Sequence, residues 1–196
     1  FHLTTEIFVG NTWYFYLDSK WYRLQDSFVS GLNSRTQNIL DSSVLPQGVS
    51  LLPWNKDVIK KESIYNDGHD SLDNYIVIDR VIKDAIELCD ILYIKDGHVY
   101  LFHVKYGFSS NVRDLVNQIS IAARRLREAI DSKDKEYFKS IYDALINKNR
   151  SVCNLSSEEF IDLFLLSDYT KSFVLSFSSH LDYNLIEDLD KYKSNI

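Results

Sequence analysis

The stretch ELCDILYIKDGHVYLFHVK, residues 87–105, places an acid (Asp90), an imidazole (His103) and an amine (Lys105) inside two apolar runs. Asp96-Gly97 between the runs is a strong two-residue turn signal, because both central positions of a type I′ turn need positive φ. That turn pairs Lys95 with His98, and the same register makes Asp90 and His103 direct cross-strand neighbours, their Cβ atoms roughly 5 Å apart. Lys105 falls two residues further along that face, beside Leu88 and diagonal to Asp90, while Cys89 and Val104 point into the core. A carboxylate, an imidazole and an ammonium on one face suit the binding and hydrolysis of a phosphate ester. Their convergence in apolar surroundings is costly unless it is used. The plainer reading is an edge ion pair between Asp90 and His103, with Lys105 solvated.

Several elements must hold this hairpin in place. Val112, Leu115, Val116, Ile119, Ala122, Ala123, Leu126 and Ile130 share one face of a helix, and Arg113, Asn117, Ser120, Arg124 and Arg127 share the other. The strand before it runs through YGFSSN into the helix start, so Ser109 and Ser110 read as helix caps or as part of a phosphate cradle at the free N–H groups. Upstream, residues 6–24 read as a hairpin turning near Asp18-Ser19, with aromatic residues on both faces and hence both faces covered. Asp26 caps a helix running to about Leu40, with Phe28, Val29 and Leu32 inward. Pro46 and Pro53 bracket a loop, 55–67 form a short helix carrying Glu62, and 74–80 form a strand. Further helices follow at 135–147 and 156–166, the second with a Ser156/Glu159 capping box, then a strand at 172–177 and a helical tail. The expectation is a mixed α/β domain over 55–196. Residues 1–54, a hairpin and a helix, continue a missing upstream region, because the chain starts at Phe1 and contains no methionine.

The net charge of −6 argues against coating nucleic acid through bulk charge and leaves room for a local basic groove. No apolar run reaches the ~18 residues of a membrane span, so no membrane partner is expected. Two cysteines form no disulfide framework, which suggests a reducing, cytoplasmic setting. His2, His69, His98 and His180 lack ligand spacing, and surface roles suffice for His69 and His98. Cys153 packs. The aromatic cluster Trp13–Tyr16, Trp21 and Tyr22 reads as core, as a face left by the missing region, or as a base-stacking platform.

An acidic residue on one strand (Asp90), then x-x-Lys on the next (His103-Val104-Lys105), then an amphipathic helix bearing Gln118, resembles the PD-(D/E)xK nuclease superfamily. Glu62 falls where that superfamily often carries a further metal-binding glutamate. ESIYN (62–66), IELCDIL (86–92), HVKYGFSS (103–110), NQISIAA (117–123) and KWYRLQDSFV (20–29) are similar to a sporadically distributed, poorly characterised bacterial family. The resemblance implies a restriction-endonuclease-like αβββαβ core with a mixed central sheet and helices inserted before the last strand. It also implies a divalent-metal-dependent DNA endonuclease of a bacterial restriction or antiphage system. Asp90, Glu62 and His103 would hold Mg²⁺ or Mn²⁺, Lys105 would handle the attacking water, Gln118 would position the site, and Arg113, Arg124 and Arg127 would meet backbone phosphates. Arg125, at the edge of that helix face, is not a candidate. His103 stands where Glu or Asp is usual; Mg²⁺ prefers oxygen ligands, whereas imidazole suits Mn²⁺ or Zn²⁺.

Two rival readings remain. One is a nuclease-like fold without catalysis, binding nucleic acid or a protein partner; an oligomer is compatible with either reading. The other takes HVK as the His-x-Lys of phospholipase-D-like enzymes, but Ser110 stands where an Asp is wanted and no second His-x-Lys exists.

Overall fold

A computed structural model describes residues 4–23, 25–55, 57–107 and 111–178. The chain divides into two compact units, Phe1–Gly48 and Val49–Ile196. In the first, β1 (Thr5–Val9), β2 (Thr12–Leu17) and β3 (Lys20–Arg23) form an antiparallel meander followed by α1 (Asp26–Ser42). The expected Asp18-Ser19 turn is present, both residues at positive φ. A second turn at Gly10 adds β1, so the segment is three strands rather than one hairpin. Helix α1 starts at Asp26 with Gln25 as N-cap, one residue earlier than a capping Asp26 implies. Phe28 and Leu32, expected inward, are exposed, as are Phe8, Trp13 and Trp21. The physical reason is that the unit is one sheet layer plus a helix, and none of its described residues joins the buried core.

The second unit begins with a loop and α2 (Glu62–Asp67). Residue 55 and residues 57–61 are not helical: Asn55 Oδ1 accepts from the Asp57 N–H, an Asx turn that competes with the first helical turn. Then come β4 (Tyr75–Val77), the short strands β5 (Ile82–Lys83) and β6 (Ile86–Glu87), and the long hairpin β7 (Ile91–Lys95) and β8 (His98–Tyr106). Helices α3 (Asn111–Asp131), α4 (Lys135–Asn147) and α5 (Ser157–Leu165) lead to β9 (Thr170–Ser178). The main sheet has the order β4-β7-β8-β9, with the first two pairings antiparallel and β8·β9 parallel. A parallel neighbour requires a crossover, and the three helices supply it. The molecule is thus mixed α/β with a mixed sheet. Strands β5 and β6 were not expected, since their turn residues Asp84 and Ala85 adopt positive φ without a glycine to announce it.

The core lies between the sheet and the helices. Ile76, Leu92, Val99 and Leu101 from the strands meet Leu126, Phe138, Ile141, Phe160 and Phe164. The capping box at Ser156/Glu159 forms as expected. Of the apolar face assigned to α3, Leu115, Ala122 and Leu126 are buried and Val116 is exposed. No helix among the described residues is long and apolar enough to cross a membrane.

Candidate active site

The Asp96-Gly97 turn forms with both φ values positive, and it sets Lys95 opposite His98 and Ile91 opposite Phe102. At Asp90 the register slips by one residue: its N–H donates at 2.9 Å to the carbonyl of Phe102, the partner of Ile91, so Asp90 does not sit directly opposite His103 as the turn alone implies. Its carboxylate accepts from the Val104 N–H at 2.7 Å, which ties it to β8 between His103 and Lys105. The Asp90 carbonyl in turn accepts from both the Ile78 and Asp79 N–H groups at 2.9 Å. That double bond pattern halts β4 and brings Asp79 alongside. The next residue, Arg80, takes a left-handed turn, φ 62°, and its N–H donates to the Glu87 carboxylate. As a result Asp79, Glu87 and Asp90 each offer an oxygen within 4.8 Å of the others.

Three carboxylates this close repel one another's charge. Burial pushes the Asp90 carboxyl up to about 7, against the Val104 N–H, and the negative neighbours Glu87, Asp79 and Glu62 push the same way. Burial also raises Glu87, partly offset by the Arg80 N–H. Arg80 Nε reaches Asp79 at 3.0 Å. Glu62, in the first turn of α2, points elsewhere: it accepts from Lys105 Nζ at 3.1 Å and from the Tyr106 N–H at 3.2 Å. Lys105 is thereby held at the end of β8 by a carboxylate it could exchange for a phosphate.

His103 is 3% exposed, with its ring stacked 5.9 Å from that of Phe173. It donates to the Leu88 carbonyl, and burial pushes its pKa down to about 4. Its Nε2 has no hydrogen-bond partner among the described residues. The ring faces a cavity of about 240 Å³ that it shares with Glu87, Gln118 and the side chains of Ile82, Ile86 and Ile121.

Of the residues singled out in the sequence, the structure therefore joins Asp90 to β8 beside Lys105, and Glu62 to Lys105. Gln118 and His103 meet at the cavity. The carboxylates that gather around Asp90 are Asp79 and Glu87, which sequence reasoning did not select. The available signal was faint: Asp79 closes the apolar run YIVI, and Glu87 precedes Asp90 by three residues. Arg113, Arg124 and Arg127 are exposed on α3, and Ser109 and Ser110 lie outside the described residues. Arg125 bonds Asp84 and Asp134 and lies 3.9 Å over the Tyr137 ring, a structural role. His69, expected at the surface, is fully buried. Its Nε2 accepts from the Leu52 N–H at 3.0 Å and its Nδ1 bonds the Tyr65 carbonyl at 3.1 Å. The polar sequence around it concealed an aromatic enclosure formed by Tyr65 and Tyr75.

The model of a protein family described as "Family of unknown function (DUF6119)" matches residues 2–181. The chain belongs to this family. No curated protein and no solved structure matches it. The family match takes in every residue of the carboxylate cluster, Lys105 and the cavity.

Proposed function

We propose that this member of the family is a divalent-metal-dependent phosphodiesterase, acting as a DNA endonuclease in a bacterial restriction or antiphage system and built on a restriction-endonuclease-like core. The observation that carries the reading is the gathering of Asp79, Glu87 and Asp90 at the start of β7, with Lys105 on the adjoining strand. The order α2, β4, β7, β8, α3, β9, with β9 parallel to β8, agrees with the αβββαβ succession that the resemblance implies.

The donor set fits the metal. Three carboxylates are hard oxygen ligands suited to Mg²⁺ or Mn²⁺. Glu87 lines the same cavity as His103, so it supplies the acid that position 103 lacks, and the imidazole need not be a ligand. A divalent ion held there would polarise a phosphoryl oxygen and acidify water. The carboxyl of Asp90, near neutrality when bare, ionises once a cation is beside it, and the Val104 N–H fixes its orientation. Lys105 leaves Glu62 for the phosphate charge or for the attacking water. Arg113, Arg124 and Arg127 provide exposed cations for backbone phosphates along α3.

The non-catalytic reading, a module that binds nucleic acid without cutting it, draws support from the Lys105–Glu62 ion pair, which engages the catalytic amine. Plasmid cleavage in Mg²⁺ or Mn²⁺ separates the two. The enzyme reading expects nicking that falls ~100-fold or more in Asp90→Asn and in Lys105→Ala. Cleavage that survives both substitutions would reject it, and DNA retention without cleavage in either metal would favour the module.

A further inference from the structure

Arg80 stands between the carboxylate cluster and a second charged site. Its backbone N–H donates to Glu87, its Nε reaches Asp79 Oδ2 at 3.0 Å, and its Nη2 reaches Asp67 Oδ1 at 3.3 Å. Arg150 Nη2 meets the same Asp67 oxygen at 2.6 Å, so two guanidinium groups converge on one acceptor. The Arg80 carbonyl accepts from Lys148 Nζ at 2.6 Å. These side chains, with Asp70 and Asn149, line an open cleft of about 460 Å³ that shares Asp79 with the cluster. The end of α4 builds one wall. Asn149 is left-handed, φ 54°, its N–H bonds the Ile146 carbonyl, and the Arg150 N–H bonds the Leu145 carbonyl, each at 3.0 Å. This Schellman turn delivers Lys148 and Arg150 to the cleft together.

The donors of this cleft suit a phosphate. Guanidinium forks match phosphate oxygens, and Asp67 Oδ1, held by two of them, sits where such an oxygen would. Lys148 Nζ bonds a neutral carbonyl rather than a carboxylate, so its charge is not spent in that bond. The obstacle is balance: Asp67, Asp70 and Asp79 offset Arg80, Lys148 and Arg150 one for one. A divalent ion on Asp79 removes that balance, because the ion and the Arg80 guanidinium compete for one carboxylate. We propose that Arg80 is a metal-released clamp for a backbone phosphate of nucleic acid. It pairs with Asp79 without the ion, and turns into the cleft beside Lys148 and Arg150 once the ion takes Asp79. Metal and nucleic acid then strengthen each other's binding by the same factor. The clamp rests on the phosphodiesterase reading, in which Asp79 is a metal ligand.

Two titrations of the full chain test this. In calorimetry with Mn²⁺ alone, Arg80→Ala is expected to bind the ion about three- to tenfold tighter than wild type, since no guanidinium has to be displaced. Lys148→Ala, which keeps Arg80 on Asp79, is expected to change Mn²⁺ binding by less than about twofold. In the second titration a short labelled DNA duplex is followed by anisotropy in EDTA and in Ca²⁺, which takes the same oxygen ligands. Wild type is expected to bind the duplex about tenfold tighter with Ca²⁺, and that ratio to fall to about threefold or less in Arg80→Ala. Lys148→Ala is expected to weaken duplex binding about threefold in Ca²⁺. Both side chains are exposed, so the variants keep the fold, which unchanged thermal midpoints verify. Mn²⁺ binding that Arg80→Ala leaves unchanged or weakens overturns the clamp alone, as does a Ca²⁺ ratio that Arg80→Ala preserves. Duplex binding indifferent to Lys148→Ala also overturns it. Absence of saturable Mn²⁺ binding in every variant refutes the metal reading and the clamp with it.

Discussion

Two buried histidines divide the second unit into two kinds of place. Around His69 the rings are answered, although the buried Asn66 Oδ1 nearby has no partner among the described residues: both ring nitrogens are bonded, Tyr65 Oη donates to the Leu52 carbonyl at 2.6 Å, and Tyr75 Oη donates to the Ser50 carbonyl. The stacked rings of Trp54 and Tyr65, 4.1 Å apart, close the enclosure and clamp loop 50–54 onto α2. Around His103 the accounts stay open. One ring nitrogen has no partner, and three neighbouring carboxylates share their charge. The same residue type is a fastener in one place and a waiting acceptor in the other. Unanswered polarity in a folded interior is where a ligand is due.

The contrast can be broken by giving both histidines the same substitution. His69→Leu removes the partner of the Leu52 N–H and of the Tyr65 carbonyl and is expected to cost about 2–4 kcal/mol, seen as a thermal midpoint lower by roughly 5–15 °C. A loss under about 1 kcal/mol would show that His69 fastens nothing.

A smaller effect sharpens the electrostatic side. Asp90 ordinarily titrates near 3.8 and in the fold at about 7, so its contribution is full below pH 4 and is lost as pH rises to about 7. His103 runs the other way: lowered from 6.5 to about 4, its contribution is full above 6.5 and is lost as pH falls through 4. The two oppose each other in mildly acid solution, which hides both in the wild type. Asp90→Asn removes one of them and keeps an acceptor for Val104. The variant's stability advantage over wild type, without metal, should grow by ~2–4 kcal/mol between pH 5 and pH 8. A constant difference across that range in denaturant melts would contradict the raised carboxyl.

Smallest of the three is His103→Leu, which gives up one hydrogen bond and an unpartnered nitrogen and should change stability by about 1 kcal/mol or less. A cost matching that of His69→Leu would erase the distinction between the two regions.

The sequence made the framework legible where local chemistry dictates it. Asp96-Gly97 defined the β7–β8 register from Lys95 back to Ile91, and the one-residue slip at Asp90 that follows was not legible in the turn. The 3.6-residue periodicity and the Ser156/Glu159 box located α3, α4 and α5 to within a residue or two. What escaped depends on contacts between distant segments. Phe28 and Leu32 form an apolar stripe, but a stripe does not say what it packs on. Asp79 and Glu87 come together only because one carbonyl, that of Asp90, accepts two N–H groups from the end of β4. No residue pattern encodes such a bond. His69 sits among Asp and Gly, and its burial is decided by tyrosines from either side.

The most direct test of the carboxylate centre is a Mn²⁺ titration, followed by calorimetry or by the resonance of the free ion. Saturable binding is expected in the wild type, weakened about tenfold or more by Glu87→Gln and by Asp90→Asn and changed less than about twofold by His103→Leu. Absence of saturable binding, or binding that ignores Glu87→Gln and vanishes with His103→Leu, would contradict the assignment of the cluster.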